Sequence, residues 1–443
     1  MRPLVSQSRT LAADMFTPIG ALAALRSGDC CLLESVESGG RISRYSFLGI
    51  EYLAAREFAA GDDLLVQIRR FVDEYRKNID DPTSQSGALV AFAYDAARPF
   101  ARLRDREPAD PPMPAAYVAI PATWLIFDHF SDRLTIWTCG SSSADLNKKI
   151  DGYIARLLSA RALLPETVRG VPPVVASMDR EAFLKRTRQV KQYITDGEVY
   201  QLQLGIRFSS AMEGSAFDLY RAIRSRNPSP YMFYVDAPFG QLLGASPEFL
   251  VRLEGRKARI RPLAGTRPRG ADDIEDQTIG YELLADEKER AEHVMLVDLG
   301  RNDLGVVCEY GSVKVTELLQ IERYSHVMHI VSDVVGTLRK ECDALDLFAA
   351  GFPAGTVTGT PKIRAMQLID ELEAVARGFY AGSIGRWAHG GDFDSCITLR
   401  SMHVHNGRAT WQASAGIVAD SVPEAEYAEV ISKTAIAREI LGL

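Results

Sequence analysis

Up to about residue 165, the apolar positions come in short runs broken by turn-forming Gly, Pro and Asp. The runs are CCLLES (30–35), RYSFLGIEYLAA (44–55), GALVAFAYD (87–95), YVAIPATWLIFDH (117–129) and DRLTIWTC (132–139). Their β-branched and aromatic content predicts an antiparallel sheet with a few helices. The segment LPETVRGVPPVVASMD (164–179) is rich in Pro and predicts a lobe boundary. Beyond it helices and strands alternate irregularly, with strand candidates at 201–210, 232–238, 249–263, 312–318, 380–388 and 395–414. HNGR (405–408) and LEGR (253–256) read as hairpin turns, which imply antiparallel pairing. The pattern is α+β rather than a doubly wound parallel sheet.

Two helical stretches carry paired acids. In ASAGIVADSVPEAEYAEVISK (413–433), Ser421 and Glu424 have the spacing of a capping box and Pro423 falls in the first turn. Helical periodicity puts Glu426, Glu429 and Lys433 on one narrow face. Tyr427, Val430, Ile431 and Thr434 form a separate apolar stripe that docks the helix. In DEKERAEHVMLVDLGRND (286–303), Glu289 and Glu292 repeat the three-residue spacing, with Leu283, Leu284, Val294 and Met295 as docking residues. Like charges at this spacing cost a few tenths of a kcal/mol on an isolated helix. Two such pairs facing each other would repel strongly without a divalent cation between them, and Mg²⁺ suits carboxylate oxygens plus an anionic substrate. For either pair alone, a solvated helix face is the plain alternative.

A chain of 443 residues predicts two lobes or one large fused core. Its net charge of −7 argues against a general nucleic-acid or anionic-membrane surface, so an anionic substrate must be held by local groups. The N-terminus lacks a signal-peptide core, and no apolar run is long enough to span a bilayer. The six cysteines show no C-x-x-C spacing, which suits a reducing cytosol; they read as packing residues in a cytoplasmic protein.

Several loops offer chemistry of their own. PLAGTRPRG (262–270) places Gly265 and Thr266 in a turn after a strand, followed by two arginines. FPAGTVTGTPKIRAMQLIDELE (352–373) is a Gly/Thr/Pro loop opening a helix near Pro361, where backbone N–H groups and the hydroxyls of Thr356 and Thr358 could hold a carboxylate. Glu248 is a lone acid at a strand start. His329 lies among apolar residues, where a satisfied core histidine is the default, and Arg400 ends the strand SCITLR.

Taken together these segments resemble the chorismate-utilising enzymes, most closely the anthranilate synthase component I branch. The resemblance covers residues 178–443 densely, and residues 1–165 more thinly through LLES (32–35) and RYSFLG (44–49). It implies large antiparallel sheets packed face to face with helices outside. It also implies a regulatory N-terminal lobe (1–165) and a chorismate-binding catalytic lobe (178–443). By the resemblance, Mg²⁺ bridges the ring carboxylate of chorismate to Glu289, Glu292, Glu426 and Glu429. Arg400, Tyr380 and the glycine turn at Ala415 and Gly416 hold the enolpyruvyl carboxylate, with Lys433 adding positive charge. Glu248 matches the general acid that expels the C4 hydroxyl, while Gly265, Thr266 and Thr356 match substrate-lining positions. His329 is implied to support pyruvate elimination.

Two positions separate the family's branches. Gln201 stands where isochorismate and salicylate synthases carry a water-activating lysine, and a neutral amide cannot do that work. Ala264 stands where aminodeoxychorismate synthases often carry a nucleophilic lysine. Both point to ammonia adding directly at C2, followed by pyruvate loss to give anthranilate. No glutaminase segment is present, so a separate glutamine amidotransferase subunit is implied as the ammonia source. Leu33, Glu34 and Ser35 with Asn227, Pro228, Ser229, Pro230, Tyr231 and Met232 resemble a tryptophan feedback site; a buried strand and turn is the alternative. Ser414 in place of a usual glycine, Arg386-Trp387 in place of a tyrosine-aromatic pair, and Thr360 in place of an alanine depart from the pattern. These departures leave open an enzyme that stops at 2-amino-2-deoxyisochorismate; an aminodeoxychorismate synthase and a catalytically silent binding paralogue are the further alternatives.

Overall fold

A computed structural model describes residues 3–35, 44–81, 85–101, 103, 111–160, 164–324 and 327–443. Within them, 21 strands form one hydrogen-bonded network. The pairings are antiparallel apart from a short parallel contact of Leu4–Ala12 with Ile79–Asp80. Both predicted hairpins are present, joining Phe249–Glu254 to Lys257–Ile260 and Ser401–His405 to Arg408–Ile417. Asn406 and Gly407 have φ of 48° and 69°, the left-handed pair that lets a two-residue turn follow the strand twist.

The strands that frame the site alternate strictly. On Gln201–Glu213, Leu202, Leu204 and Ile206 enter one apolar core, while Gln201, Gln203 and Gly205 face the other side. The neighbouring strand Arg408–Ile417 does the same: Trp411, Ala413, Ala415 and Ile417 join the apolar cluster, and Gln412, Ser414 and Gly416 share the polar face. Register pairs Gly416 with Gln203 and Ser414 with Gly205. The polar face is buried too, which fits a site rather than a solvent surface.

Cys30–Glu34 pairs with Tyr231–Ala237, and Gly87–Phe92 pairs with Ser383–Ala388, so backbone ladders join residues before 165 to residues after 178. The Pro-rich segment contributes a strand of its own, Arg169–Ala176, beside Gln201–Glu213. The six cysteines are free, and five of them are buried as packing residues. Among the described residues, no helix is long and apolar enough to cross a membrane.

The structure corrects several local expectations. The helix Pro423–Lys433 has no capping box: Ser421 Oγ is used at 3.0 Å by the backbone N–H of Val418, and Glu424 reaches out to Arg188 at 3.7 Å. The stretch 395–414 is divided among three strands, breaking at the expected HNGR turn and again before Ser401, and Arg400 sits in that second break with φ of 47°. The strand predicted from 380 begins at Ser383, leaving Tyr380 in the preceding turn. In the helix Glu287–Val307, Val294 is exposed and His293 docks instead. His293 can be buried there because its Nε2 meets Ser332 Oγ at 2.6 Å. Thr358 cannot serve as a free anion donor, since its hydroxyl is spent on the carbonyl of Ala354 at 2.9 Å.

Candidate active site

Asp286 caps the helix Glu287–Val307 by accepting from the N–H groups of Lys288 and Glu289 at 3.0 and 3.2 Å. The cap directs Glu289 and Glu292 toward the strands of the site. Glu289 pairs with Arg267 Nη1 at 3.1 Å, and Glu292 accepts from Gln201 Nε2 at 2.8 Å. The helix Pro423–Lys433 docks through buried Val430 and Thr434 and half-buried Tyr427 and Ile431, as its stripe predicts. It presents Glu426 and Glu429, the latter paired with Lys433 at 2.7 Å.

The two acidic pairs sense each other. Burial raises the pKa of Glu292, the Gln201 hydrogen bond opposes this, and the charges of Glu289 and Glu429 raise it further. Burial also raises Glu426, with Glu429 adding to the effect while Ser421, Lys288 and Lys433 oppose it. Among the described residues, no three Asp, Glu, His or Cys side chains close into a metal cage. Glu289, Glu292 and Glu429 turn instead to Arg267, Gln201 and Lys433. The four side chains offer hard carboxylate oxygens, the ligand type Mg²⁺ takes, on two helices whose charges influence each other.

A cavity of about 310 Å³ opens at the C-terminal end of the helix Pro423–Lys433, with His329, Arg400, Lys433, Tyr324 and Trp411 in its wall. Strand register places His329 opposite Thr266, and a bulge at Gly265 (φ 64°) brings that carbonyl to the ring. His329 Nδ1 lies 3.0 Å from both Gly265 O and Thr266 Oγ1. A carbonyl can only accept, so Nδ1 carries the proton and Nε2 keeps its lone pair. Burial lowers the His329 pKa to about 4, which keeps the ring neutral. Arg400 is open to the cavity, but protein packed around its other sides disfavours the charge and lowers its pKa. Among the described residues no carboxylate pairs with it, so its guanidinium is available to an anion.

The Tyr380 hydroxyl lies 2.8 Å from Ser414 Oγ, and Lys433 Nζ, from the cavity wall, donates to Ser414 O at 2.9 Å. A Cβ on Gly416 would stand 2.9 Å from Nε2 of both Gln201 and Gln203, so the glycine lets the two amides lie over the backbone where they are. The Ala415 side chain points away, into the apolar core. Glu248 and Thr356 line a smaller cavity of about 40 Å³, next to the larger one that Pro247 lines. Thr356 Oγ1 is 3.3 and 3.4 Å from the Glu248 oxygens. Burial pushes the Glu248 carboxyl up to about 8, against the weak opposition of Thr356.

Sequence reasoning missed the network behind these groups. Arg377 and Glu373 form an interior ion pair at 2.6 and 2.9 Å. Arg377 also donates to Val357 O at 2.6 Å and Gln203 O at 2.9 Å, while Glu373 takes the N–H of Gly205 at 2.9 Å. One pair thus ties the Thr356 loop to the Gln203 strand. Its E-x-x-x-R spacing reads as a solvated helix pair, and only the apolar residues around it hint at burial. Lys362 and Asp303 add a second tie at 3.0 Å under the Glu248 cavity.

The nine residues of the tryptophan motif divide. Leu33, Glu34, Ser35, Pro230, Tyr231 and Met232 line a cavity of about 70 Å³. Asn227, Pro228 and Ser229 line the large cavity with His329 instead. Glu34 is already engaged by Tyr220 at 2.6 Å and Arg224 at 3.0 Å.

A family model described as chorismate binding enzyme matches residues 28–439. Anthranilate synthase component 1 of Thermus thermophilus is 42% identical over 442 residues, 96% of this chain and 95% of the relative. Aminodeoxychorismate synthase component 1 of Bacillus subtilis is 38% identical, covering 93% of this chain and 91% of its own length. Among solved structures, anthranilate synthase component I from Streptococcus pneumoniae TIGR4 superposes with a TM-score of 0.80 at 31% identity, covering 97% of this chain and 99% of that one.

Proposed function

The chain belongs to the chorismate-binding enzymes, and on that premise we propose that it aminates chorismate at C2 with ammonia and then eliminates pyruvate to give anthranilate. That it is a chorismate-utilising enzyme follows from the family; the choice of nucleophile and of product is the proposal. Gln201 carries it. Its amide is bound to Glu292 at 2.8 Å, where a group able to deprotonate water would be needed for hydroxylation, and an amide takes no proton. Ammonia needs no such base.

The residues divide the work as follows. Glu248, protonated at neutral pH because burial holds it at about 8, gives its proton to the C4 hydroxyl, which leaves as water while nitrogen bonds to C2. Arg400 supplies charge to a substrate carboxylate. In the second step the C2 proton is removed, the C3–O bond breaks and the ring becomes aromatic; the enolpyruvate that leaves takes up a proton to become pyruvate. Neutral His329, with Nε2 unprotonated, is the group to take that proton. Glu289, Glu292, Glu426 and Glu429 would hold Mg²⁺, which when bound would neutralise the substrate's ring carboxylate. A glutamine amidotransferase subunit is the proposed ammonia donor, in keeping with the component 1 name of the relatives. Tryptophan is the proposed inhibitor at the cavity of Leu33, Ser35, Pro230, Tyr231 and Met232.

The relative named aminodeoxychorismate synthase favours a second reading, amination at C4. Ala264, buried where an amine would be needed to attack C2, weighs against it. One assay separates the outcomes: purified chain, chorismate, Mg²⁺ and ammonium at alkaline pH. Anthranilate fluorescence with stoichiometric pyruvate supports the proposal. Chorismate loss without pyruvate supports release of an aminated product, whose amine position (C2 or C4) tells a released intermediate from the second reading, and no consumption overturns the reading.

A further inference from the structure

Tyr380, Ser414 and Gln203 form a buried hydrogen-bonded chain in which the protons can run in one direction only. Ser414 Oγ donates to Gln203 Oε1 at 2.8 Å, and an amide oxygen has no hydrogen to give back. The serine's single proton is therefore committed. The contact of Tyr380 Oη with Ser414 Oγ at 2.8 Å must then run from tyrosine to serine, which commits the phenolic proton as well. Tyr380, Ser414 and Gln203 are 8%, 4% and 8% exposed, so water cannot readily substitute in this relay. With its oxygen anchored, Gln203 turns Nε2 over Gly416, beside Gln201 Nε2. Among the described residues Gln203 Nε2 has no acceptor, whereas Gln201 Nε2 is already bound to Glu292.

We propose that Gln203 is a substrate-binding residue, donating from Nε2 to a carboxylate oxygen of the substrate, and that Ser414 is the positioning residue that orients it. Tyr380 then completes the relay instead of donating to the ligand. Lys433, held on the Ser414 carbonyl at 2.9 Å, brings positive charge to the same carboxylate without needing the serine side chain. The inference rests on the chorismate reading above, and goes beyond it by moving the donor from the tyrosine to an amide.

The test is steady-state kinetics with chorismate and ammonium on wild type, Gln203→Leu, Ser414→Ala, Ser414→Thr and Tyr380→Phe, with thermal melts to establish folding. A hydrogen bond to a charged carboxylate predicts a KM about tenfold or more higher in Gln203→Leu, with kcat changed much less. Ser414→Ala should raise KM in the same direction, and Ser414→Thr, which restores a hydroxyl, should recover most of it. Tyr380→Phe leaves the Ser414–Gln203 bond standing and should raise KM less than Gln203→Leu. Unchanged KM in a folded Gln203→Leu, or a larger rise in Tyr380→Phe than in Gln203→Leu, overturns the proposal while wild-type turnover keeps the chorismate reading intact. A wild type that neither consumes nor binds chorismate removes both.

Discussion

The guanidinium of Arg377 grips the carboxylate of Glu373 at 2.6 and 2.9 Å with both side chains almost wholly out of water. Two isolated charges could not remain there. The pair is tolerated because the remaining hydrogen-bonding positions go to Val357 O, Gln203 O and the N–H of Gly205. The Arg377 guanidinium also lies over the Tyr94 ring at 4.8 Å.

Removing one partner should therefore cost far more than a surface pair would. Arg377→Met leaves an unpaired carboxylate in the interior and should destabilise the protein by about 3–5 kcal/mol. Urea denaturation measures this, and a loss below about 1 kcal/mol, the range of exposed pairs, would show that the pair is not structurally coupled.

Glu248 makes a prediction in two readouts. Its pKa is raised from 4.5 to about 8, so the native state holds a proton that the unfolded chain releases between those values. This contribution to stability is complete below pH 4.5 and is lost as pH rises through about 8. Glu248→Gln should flatten that part of the stability profile and lower kcat by about 10²–10⁴. At a fixed concentration of free ammonia, wild-type activity should fall on the alkaline side as the acid form disappears. Activity rising through that range would remove Glu248 as the proton donor.

The buried histidines act in the opposite direction. His293, His329 and His403 are each lowered from 6.5 to about 4 by burial, so they stay neutral in the fold and protonate more readily when unfolded. Their contribution is present above pH 6.5 and is lost as pH falls toward 4. Melting temperatures taken across that range should drop, and less steeply in His329→Met. The same variant should consume chorismate yet release little pyruvate; an unchanged anthranilate yield would strip His329 of its role.

For the acidic helices the direct readout is binding. Mg²⁺ should raise the melting temperature of the wild type, because a ligand that binds only the native state stabilises it. Glu429→Gln should abolish both that shift and turnover. A variant retaining the shift would move the metal elsewhere.

Much of this protein was legible in order along the chain. Alternation in QLQLGIRF, the glycine-bearing hairpins and the apolar stripe of Tyr427, Val430, Ile431 and Thr434 are local patterns, and local patterns survive folding. The failures were also local: Ser421 has the spacing of a cap but was drawn into the turn before the helix, and Val294 lost its buried position to a histidine with a hydrogen-bond partner.

Residue types and spacings on their own established the acids, His329 and the glycine turns as candidates, because chemistry depends on what a side chain is. They could not establish partners. Whether Gln201 meets Glu292, whether Arg400 is left without a carboxylate, and whether the Tyr380 proton is spent on Ser414 depend on residues far apart in the chain. Burial and pairing set charge state and proton direction, and both arise only when the sheet closes.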